Sequence, residues 1–269
     1  MIFKEWRYTQ RRISLIVARN MDRWVNKVAV VTGASSGIGA AIAEAFLKEG
    51  LIVVGVARRL ENLEALSVSN QEAKGKFHAR QCDITNTEEL LKTLKWVDNE
   101  LGGIDILVNN AAIWSVKRVI DGNVEEFRKL LDLNVLATAV CVREAVDSMQ
   151  RRNVAGHIIN INSMDGHWLP FMGNASLYPA TKFAITIMTE TVRRELAVAN
   201  SRIKITSVSP GFVKTDIMRA SGVPNPEHFL DNIPHLQPKS IADGVLYVLG
   251  TPEDVQVTEL SIRPVGENA

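Results

Sequence analysis

From Lys27 onward, apolar and polar positions follow two rhythms that take turns along the chain. Short, β-branched apolar runs at Lys27–Thr32, Leu51–Val56, Phe77–Cys82, Ile104–Asn109, His157–Ile161, Ile203–Val208 and Val255–Ile262 have the length of buried strands. Between them, Ile38–Lys48, Thr87–Leu101, Val124–Met149 and Ser176–Ala199 place apolar residues at helical spacing, with Gly50 positioned to end the first helix. Asn86 with Glu89, and Asn123 with Glu126, have capping-box spacing. Strand and helix in alternation predict parallel strands joined by right-handed crossovers. The expected fold class is therefore α/β, a single-domain, Rossmann-like doubly wound parallel sheet of about seven strands. No repeat or linker interrupts the pattern, so one domain is expected over 22–269, preceded by an N-terminal extension, 1–21.

Composition narrows the function classes. Among 269 residues, 31 Lys and Arg face 30 Asp and Glu, a net charge of +1 that leaves no basic excess for nucleic acid. With 46% hydrophobic and 23% charged residues, extended disorder is excluded for most of the chain. The apolar runs, such as Val28–Val31, fall far short of the roughly 18 residues of a membrane helix, so a soluble protein without stable membrane insertion is expected. Cys82 and Cys141 match neither a disulfide framework nor a metal-ligand spacing, and they read as reduced, buried thiols. Of the five histidines, His78, His157, His228 and His235 show no ligand spacing either, and His167 reads as a structural or surface residue ahead of a substrate contact, so no metal is expected. The first twenty residues are basic, with Lys4, Arg7, Arg11, Arg12 and Arg19 against Glu5, and their apolar stretch Ile13–Ala18 is too short for a secretory core. A cytoplasmic location is expected, with organelle import through this extension as the alternative.

The chemistry begins where the first strand ends. Thr32-Gly33-Ala34-Ser35-Ser36-Gly37-Ile38-Gly39 runs from strand straight into helix. Glycines there let the backbone approach a pyrophosphate, which the unpaired N–H groups and positive dipole of the helix start attract. The spacing is G-x-x-x-G-x-G, and no Gly-Lys-Ser/Thr follows, which disfavours a nucleotide triphosphatase loop. At the end of the second strand, the position for a ribose-binding carboxylate is filled by Ala57-Arg58-Arg59. Guanidinium groups hold a 2′-phosphate where a carboxylate would repel it, so the expected cofactor is NADP(H). Tyr178 and Lys182 share a helix face at i and i+4. An ammonium about 4 Å from a phenol at an effective dielectric of about 20 contributes roughly 4 kcal/mol. That suffices to lower a phenol pKa of about 10 by two or three units, which needs roughly 3–4 kcal/mol.

Tyr178-Pro179-Ala180-Thr181-Lys182, together with the glycine motif, resembles the short-chain dehydrogenase/reductase family. The resemblance runs from about Val25 to Val265 through five ordered motifs. It implies that Asp83-Ile84 contacts adenine, that Asn109-Asn110-Ala111-Ala112 is the strand-four motif, and that Pro210-Gly211 with Val213 and Thr215 forms the nicotinamide-side loop. It further implies Tyr178 as acid/base, Lys182 as its partner and ribose ligand, Ser163 at the developing oxyanion and Asn134 in a water-linked proton path. Cofactor contacts are implied for Gly33, Ser35, Ser36, Gly37, Ile38, Gly39, Arg58, Arg59, Asn110, Ala111, Tyr178 and Lys182. Two departures stand out: Ala112 replaces the usual glycine, and Ser163 precedes Tyr178 by fifteen residues where thirteen is usual. Ser176 is too close to the tyrosine to serve instead.

Residues expected around the reacting carbon are largely apolar: Trp114, Met164, His167, Trp168, Leu169, Phe171, Met172, Phe212, Ile217 and Met218. Such a wall suits a lipophilic alcohol or carbonyl as substrate. The Met21-Asp22-Arg23-Trp24 start, the Arg58-Arg59 pair and the Ile262-Arg263-Pro264-Val265 end resemble the branch of the family that oxidises farnesol and related isoprenoid alcohols. This implies an NADP-dependent dehydrogenase converting farnesol to farnesal. A steroid, quinone or xenobiotic carbonyl reductase is the alternative enzyme, and a dinucleotide sensor without turnover the alternative outside enzymes. The long apolar patterns Val124–Met149 and Ser176–Ala199, helices that the family commonly pairs, imply a homodimer or homotetramer.

Overall fold

The computed structural model describes residues 20–169, 176–221 and 233–267. Its first half runs β1 (Val28–Thr32), α1 (Gly37–Lys48), β2 (Ile52–Ala57), α2 (Leu60–Ser69), β3 (Lys76–Gln81), α3 (Thr87–Leu101) and β4 (Ile106–Asn109). Then α4 (Val124–Leu131) passes through a π-helical segment, Asp132–Ala137, into α5 (Thr138–Arg151). The remainder is β5 (His157–Ile161), α6 (Tyr178–Val198), β6 (Lys204–Pro210), α7 (Pro238–Leu249) and β7 (Glu259–Ile262), with single turns at Met164–Gly166 and Ile217–Ala220. All strand pairs are parallel, in the order β3-β2-β1-β4-β5-β6-β7. This is the doubly wound α/β sheet expected from the alternation of strands and helices.

Because successive side chains of a strand point to opposite faces, β1 feeds two cores. Ala29 and Val31 pack with Ile42, Phe46 and Leu47 of α1 and Ile241, Val245 and Leu249 of α7. Val28 and Val30 pack on the other face with Leu94 and Val97 of α3 and Cys141, Ala145 and Met149 of α5. Met21, the last residue of the expected extension, and Trp24 are buried in the first core, and Trp24 Nε1 donates to the Leu249 carbonyl at 2.9 Å. Asp105 staples the strand starts: one oxygen accepts the Val28 N–H at 2.9 Å and the other accepts Arg152 Nη1 at 3.0 Å.

Several boundaries differ from the sequence reading, each for a local reason. The strand expected over Val255–Ile262 begins at Glu259. Its missing part has carbonyls taken by side chains: Lys204 Nζ donates to Pro252 and Val255, and Thr206 Oγ1 to Val257, each at 2.6 Å. The helix expected over Val124–Met149 is interrupted by the π-helical segment, whose wider turn faces Asn134 and Ala137 inward. The helix expected from Ser176 starts at Tyr178, with Ser176 Oγ accepting the Tyr178 N–H at 3.1 Å. The other ends of the expected elements shift by two residues or fewer, as at β4, which begins at Ile106 and not Ile104. Both capping boxes are half formed. Asn86 and Asn123 accept from the helix amides, but Glu89 turns to the Asp83 N–H and Glu126 to Lys117. Helix α2 was not expected, since only Leu63 and Leu66 are buried on it, nor was α7, which carries proline in its first turn.

His157 is buried at the base of β5. Thr206 Oγ1 donates to Val257, so it accepts from His157 Nε2 at 2.9 Å, and Nδ1 has no hydrogen-bond partner among the described residues. Burial first, then the charges of Lys204 and Arg23, push its pKa down to about 3. The folded value lies below the unfolded one, so the stabilisation is present above pH 6.5 and is lost as pH falls from there toward 3. At about 1.36 kcal/mol per pH unit, the loss between pH 7 and 5 is about 2 kcal/mol. Urea unfolding at both values should show it. His157→Gln, which keeps a donor without titrating, should shrink the difference, and an unchanged difference would place the acid sensitivity elsewhere.

Candidate active site

The strand order reverses at β1, with β2 on one side and β4 on the other. Connections leave in opposite directions there, opening a crevice beyond the carboxyl ends of the strands. Thr32 and Asn110 tie its two walls. Thr32 Oγ1 accepts the Asn110 and Ala111 N–H groups at 3.0 and 3.1 Å, while Asn110 Nδ2 donates to the Thr32 and Gly33 carbonyls at 2.9 and 3.2 Å. Gly33 and Gly37 adopt φ of +67° and +57°. A Cβ on Gly39 would lie 2.4 Å from both Asn110 Nδ2 and the Gly33 carbonyl, so only glycine lets the helix start this close to the strand end.

The amino end of α1 is left electropositive. Ser36 occupies its N-cap without a side-chain cap bond, and no acidic residue lies in the first turn. Arg59 Nη2 donates to Ser35 Oγ at 3.2 Å and Ser36 Oγ at 3.0 Å, which leaves both hydroxyl protons available to an anion. Asn62, which the sequence reading did not single out, donates to the Ser35 carbonyl at 3.2 Å and supports the loop. This combination of open backbone, uncapped helix end, hydroxyls and guanidinium fits a phosphorylated dinucleotide.

A cavity of about 610 Å³ runs from Arg58, Arg59, Asp83 and Ile84, past the glycine loop, to Ser163, Tyr178 and Lys182. Ser35, Ser36, Gly37, Ile38, Asn110, Ala111, Pro210, Val213 and Thr215 also line it. Two expected site residues do not. Gly39 packs behind the loop. Asn134 is buried, its Oδ1 accepting the Ile113 N–H at 3.0 Å and its Nδ2 donating to the Ile113 carbonyl at 2.9 Å and Thr181 Oγ1 at 3.1 Å. Of the expected apolar wall, Trp114, Met164, Trp168, Phe212, Ile217 and Met218 face the cavity. His167 instead contacts Ser209 Oγ at 2.9 Å, and Leu169 is exposed. Phe171 and Met172 lie outside the described residues, as does His228.

The electrostatics correct one expectation. Tyr178 is held above the usual phenol range, not below it: burial dominates, the Asp165 charge adds to it, and a hydrogen bond from Ser163 opposes both. Lys182 does not set this balance. Its Nζ donates to the Ile161 carbonyl at 2.9 Å and lies 5.6 Å from the Tyr178 ring centre, and burial pushes its pKa down to about 8. Helical spacing placed the two residues together but said nothing of burial or of Asp165. That carboxyl is itself raised to about 6, by burial above all, with Glu267 adding and Lys182 opposing. Its backbone N–H donates to Ser163 Oγ at 3.1 Å, which orients the serine toward the phenol. Asp165 and Glu267 line the cavity and were missed, since neither belongs to a motif.

The family model for short chain dehydrogenase matches residues 27–224. The chain belongs to this family. It is 47% identical over 249 residues to a farnesol dehydrogenase of Aedes aegypti, covering 92% of this chain and 99% of that one. It is 40% identical over 250 residues to dehydrogenase/reductase SDR family member 11 of Bos taurus, covering 91% and 98%. Among solved structures, it resembles an alcohol dehydrogenase from the archaeon Thermococcus sibiricus complexed with 5-hydroxy-NADP, with a TM-score of 0.76 and 28% identity over 90% of this chain and 98% of that one. Within the described residues, no helix is long and apolar enough to cross a membrane.

Proposed function

We propose that this short-chain dehydrogenase is an NADP(H)-dependent oxidoreductase of CH–OH groups acting on lipophilic alcohols, with the oxidation of farnesol to farnesal as its leading reaction. The observation that carries this reading is one cavity joining the uncapped, arginine-flanked start of α1 to Ser163, Tyr178 and Lys182. The NADP derivative held by the Thermococcus sibiricus enzyme and the name of the Aedes aegypti relative support it.

Arg58 and Arg59 would hold the 2′-phosphate, the Gly33–Gly39 loop the pyrophosphate, Asp83 and Ile84 the adenine, and Pro210, Val213 and Thr215 the nicotinamide side. When bound, the cofactor supplies a nicotinamide carbon that accepts hydride in oxidation and donates it in reduction. Tyr178 Oη donates its proton to a carbonyl oxygen in reduction and takes the hydroxyl proton in oxidation. Its raised pKa favours the protonated phenol, the form that donates in reduction. Ser163 stabilises the negative oxygen in either direction. Lys182, whose pKa burial pushes down to about 8, would hold the ribose of the bound cofactor as a cation below that pH. Asn134 acts by position: its bond to Thr181, whose hydroxyl donates to the Tyr178 carbonyl at 2.7 Å, fixes the start of α6.

We assign 22–269 to one catalytic domain following the extension 1–21. The free, buried Cys82 and Cys141 support a reducing, cytoplasmic setting. Leu131 on α4, Leu136 on the π-helical segment, and Phe183, Ile187 and Val198 on α6 are exposed apolar side chains that support a homodimer or homotetramer through these helices. Sedimentation at micromolar concentration should show more than the 29.7 kDa protomer, and the protomer alone would contradict the assignment.

Arg59→Asp should raise the KM for NADP about tenfold or more, while the KM for NAD changes far less, because a forked contact to a phosphate dianion becomes a repulsion. Arg58→Asp should act in the same sense. Equal changes for both cofactors would contradict the 2′-phosphate assignment. For the substrate, each added methylene buried against Trp114, Trp168 and Met218 contributes about 0.8 kcal/mol, nearly fourfold. kcat/KM should climb along a series of isoprenoid alcohols until the pocket fills, and Trp168→Ala or Met218→Ala should flatten the climb. A flat wild-type response, or faster turnover of a sugar alcohol than of farnesol, would overturn the lipophilic assignment.

A further inference from the structure

After β7 the chain turns back onto the cavity and closes a clasp. Glu267 Oε1 accepts the Phe212 N–H at 2.8 Å, and Oε2 accepts Arg263 Nε at 2.6 Å. The Glu267 side chain is only 5% exposed, and a Cβ on Gly211 would lie 2.5 Å from both of its oxygens, so Gly211 is what lets the carboxylate reach this loop. The same loop is held at Gly211, whose N–H donates to the Ile262 carbonyl at 2.8 Å, and at Phe212, whose carbonyl accepts the Leu236 N–H at 2.8 Å. On its other side the Arg263 guanidinium lies 5.6 Å from the ring centre of Trp168, a residue of the cavity wall. One buried carboxylate therefore links the 210–213 loop to the substrate-facing tryptophan.

We propose that Glu267 and Arg263 are positioning residues that fix Phe212 and Trp168, and through them the geometry in which hydride passes. The proposal rests on the reading above, in which 210–215 flank the nicotinamide. Glu267 acts as an acceptor: the Phe212 amide takes one oxygen, and the arginine orients the other. A glutamine keeps the residue-267 acceptor in place, whereas an alanine removes it. Misplacing reacting groups by a fraction of an ångström slows transfer, while the affinity supplied by the distant phosphate contacts stays.

Three readouts on the full-length protein test this: hydrogen exchange at the Phe212 amide without cofactor, the Kd for NADPH, and single-turnover hydride transfer. In Glu267→Ala, exchange at Phe212 should accelerate about tenfold or more and transfer should slow about tenfold, with Kd changing less than about threefold. Glu267→Gln should stay close to wild type in all three. Wild-type exchange and transfer in Glu267→Ala would overturn the proposal, as would a Glu267→Gln variant as impaired as the alanine. Should Glu267→Ala fail to fold, Arg263→Met makes the comparison, with faster exchange and slower transfer expected and wild-type values overturning it. A wild-type protein that binds no NADPH would defeat the cofactor reading, whereas binding and transfer equal in wild type and variants would defeat the clasp alone.

Discussion

Everything at the site hangs from the double knot between Thr32 and Asn110. A sheet whose strand order reverses must part at the reversal, and the two strand ends would otherwise be free to spread. The Thr32 hydroxyl and the Asn110 amide close that gap with four hydrogen bonds. They also bring Asn110 so near α1 that residue 39 must be glycine. The phosphate cradle and the tail of β4 are thus tied together at the mouth of the cavity.

Across the cavity from that tie, the reacting end is governed by burial and by opposing charges. Tyr178 and Lys182 are both buried, which disfavours the charged form of each: the phenol rises and the ammonium falls. Asp165 pulls in a second direction, since its charge favours Lys182 as a cation but opposes ionisation of Tyr178. Ser163 then matters more than simple pairing of tyrosine with lysine implies, because its hydrogen bond is the contact that favours the phenolate. Asp165 supplies the N–H that orients that serine, so the same residue both hinders the phenolate by charge and helps it by geometry.

Much of this was legible in the chain. The seven strands, the glycine loop, the Arg58-Arg59 pair and the Tyr178/Lys182 spacing are local patterns, and local patterns survive in a sequence. What was hidden depends on contacts between distant segments. The π-helical segment is too short, at six residues, to set a period of its own inside a long helical pattern; its signature is the inward Asn134 amide meeting Ile113 and Thr181. The late start of β7 comes from Lys204 and Thr206, some fifty positions away, taking its carbonyls. Asp165 and Glu267 acquire meaning only when the turn after β5 and the segment after β7 meet at one cavity. His167 stands among the apolar residues expected around the reacting carbon, and its ring turns to Ser209, in keeping with the structural reading of that histidine.

In the proposed reaction, one cavity holds NADP(H) and directs hydride between it and a lipophilic carbinol carbon, with Tyr178 handling the proton. The most direct measurement follows the hydrogen itself, by incubating the protein with NADP and farnesol carrying deuterium at its carbinol carbon and reading the label in the recovered nucleotide by mass spectrometry and NMR. One deuterium should appear on a single face of the nicotinamide ring in the wild-type product, and none above background when Tyr178 is replaced by phenylalanine in protein that still binds the nucleotide. Unlabelled nucleotide from the wild type, or label transfer undiminished in the phenylalanine variant, would contradict it.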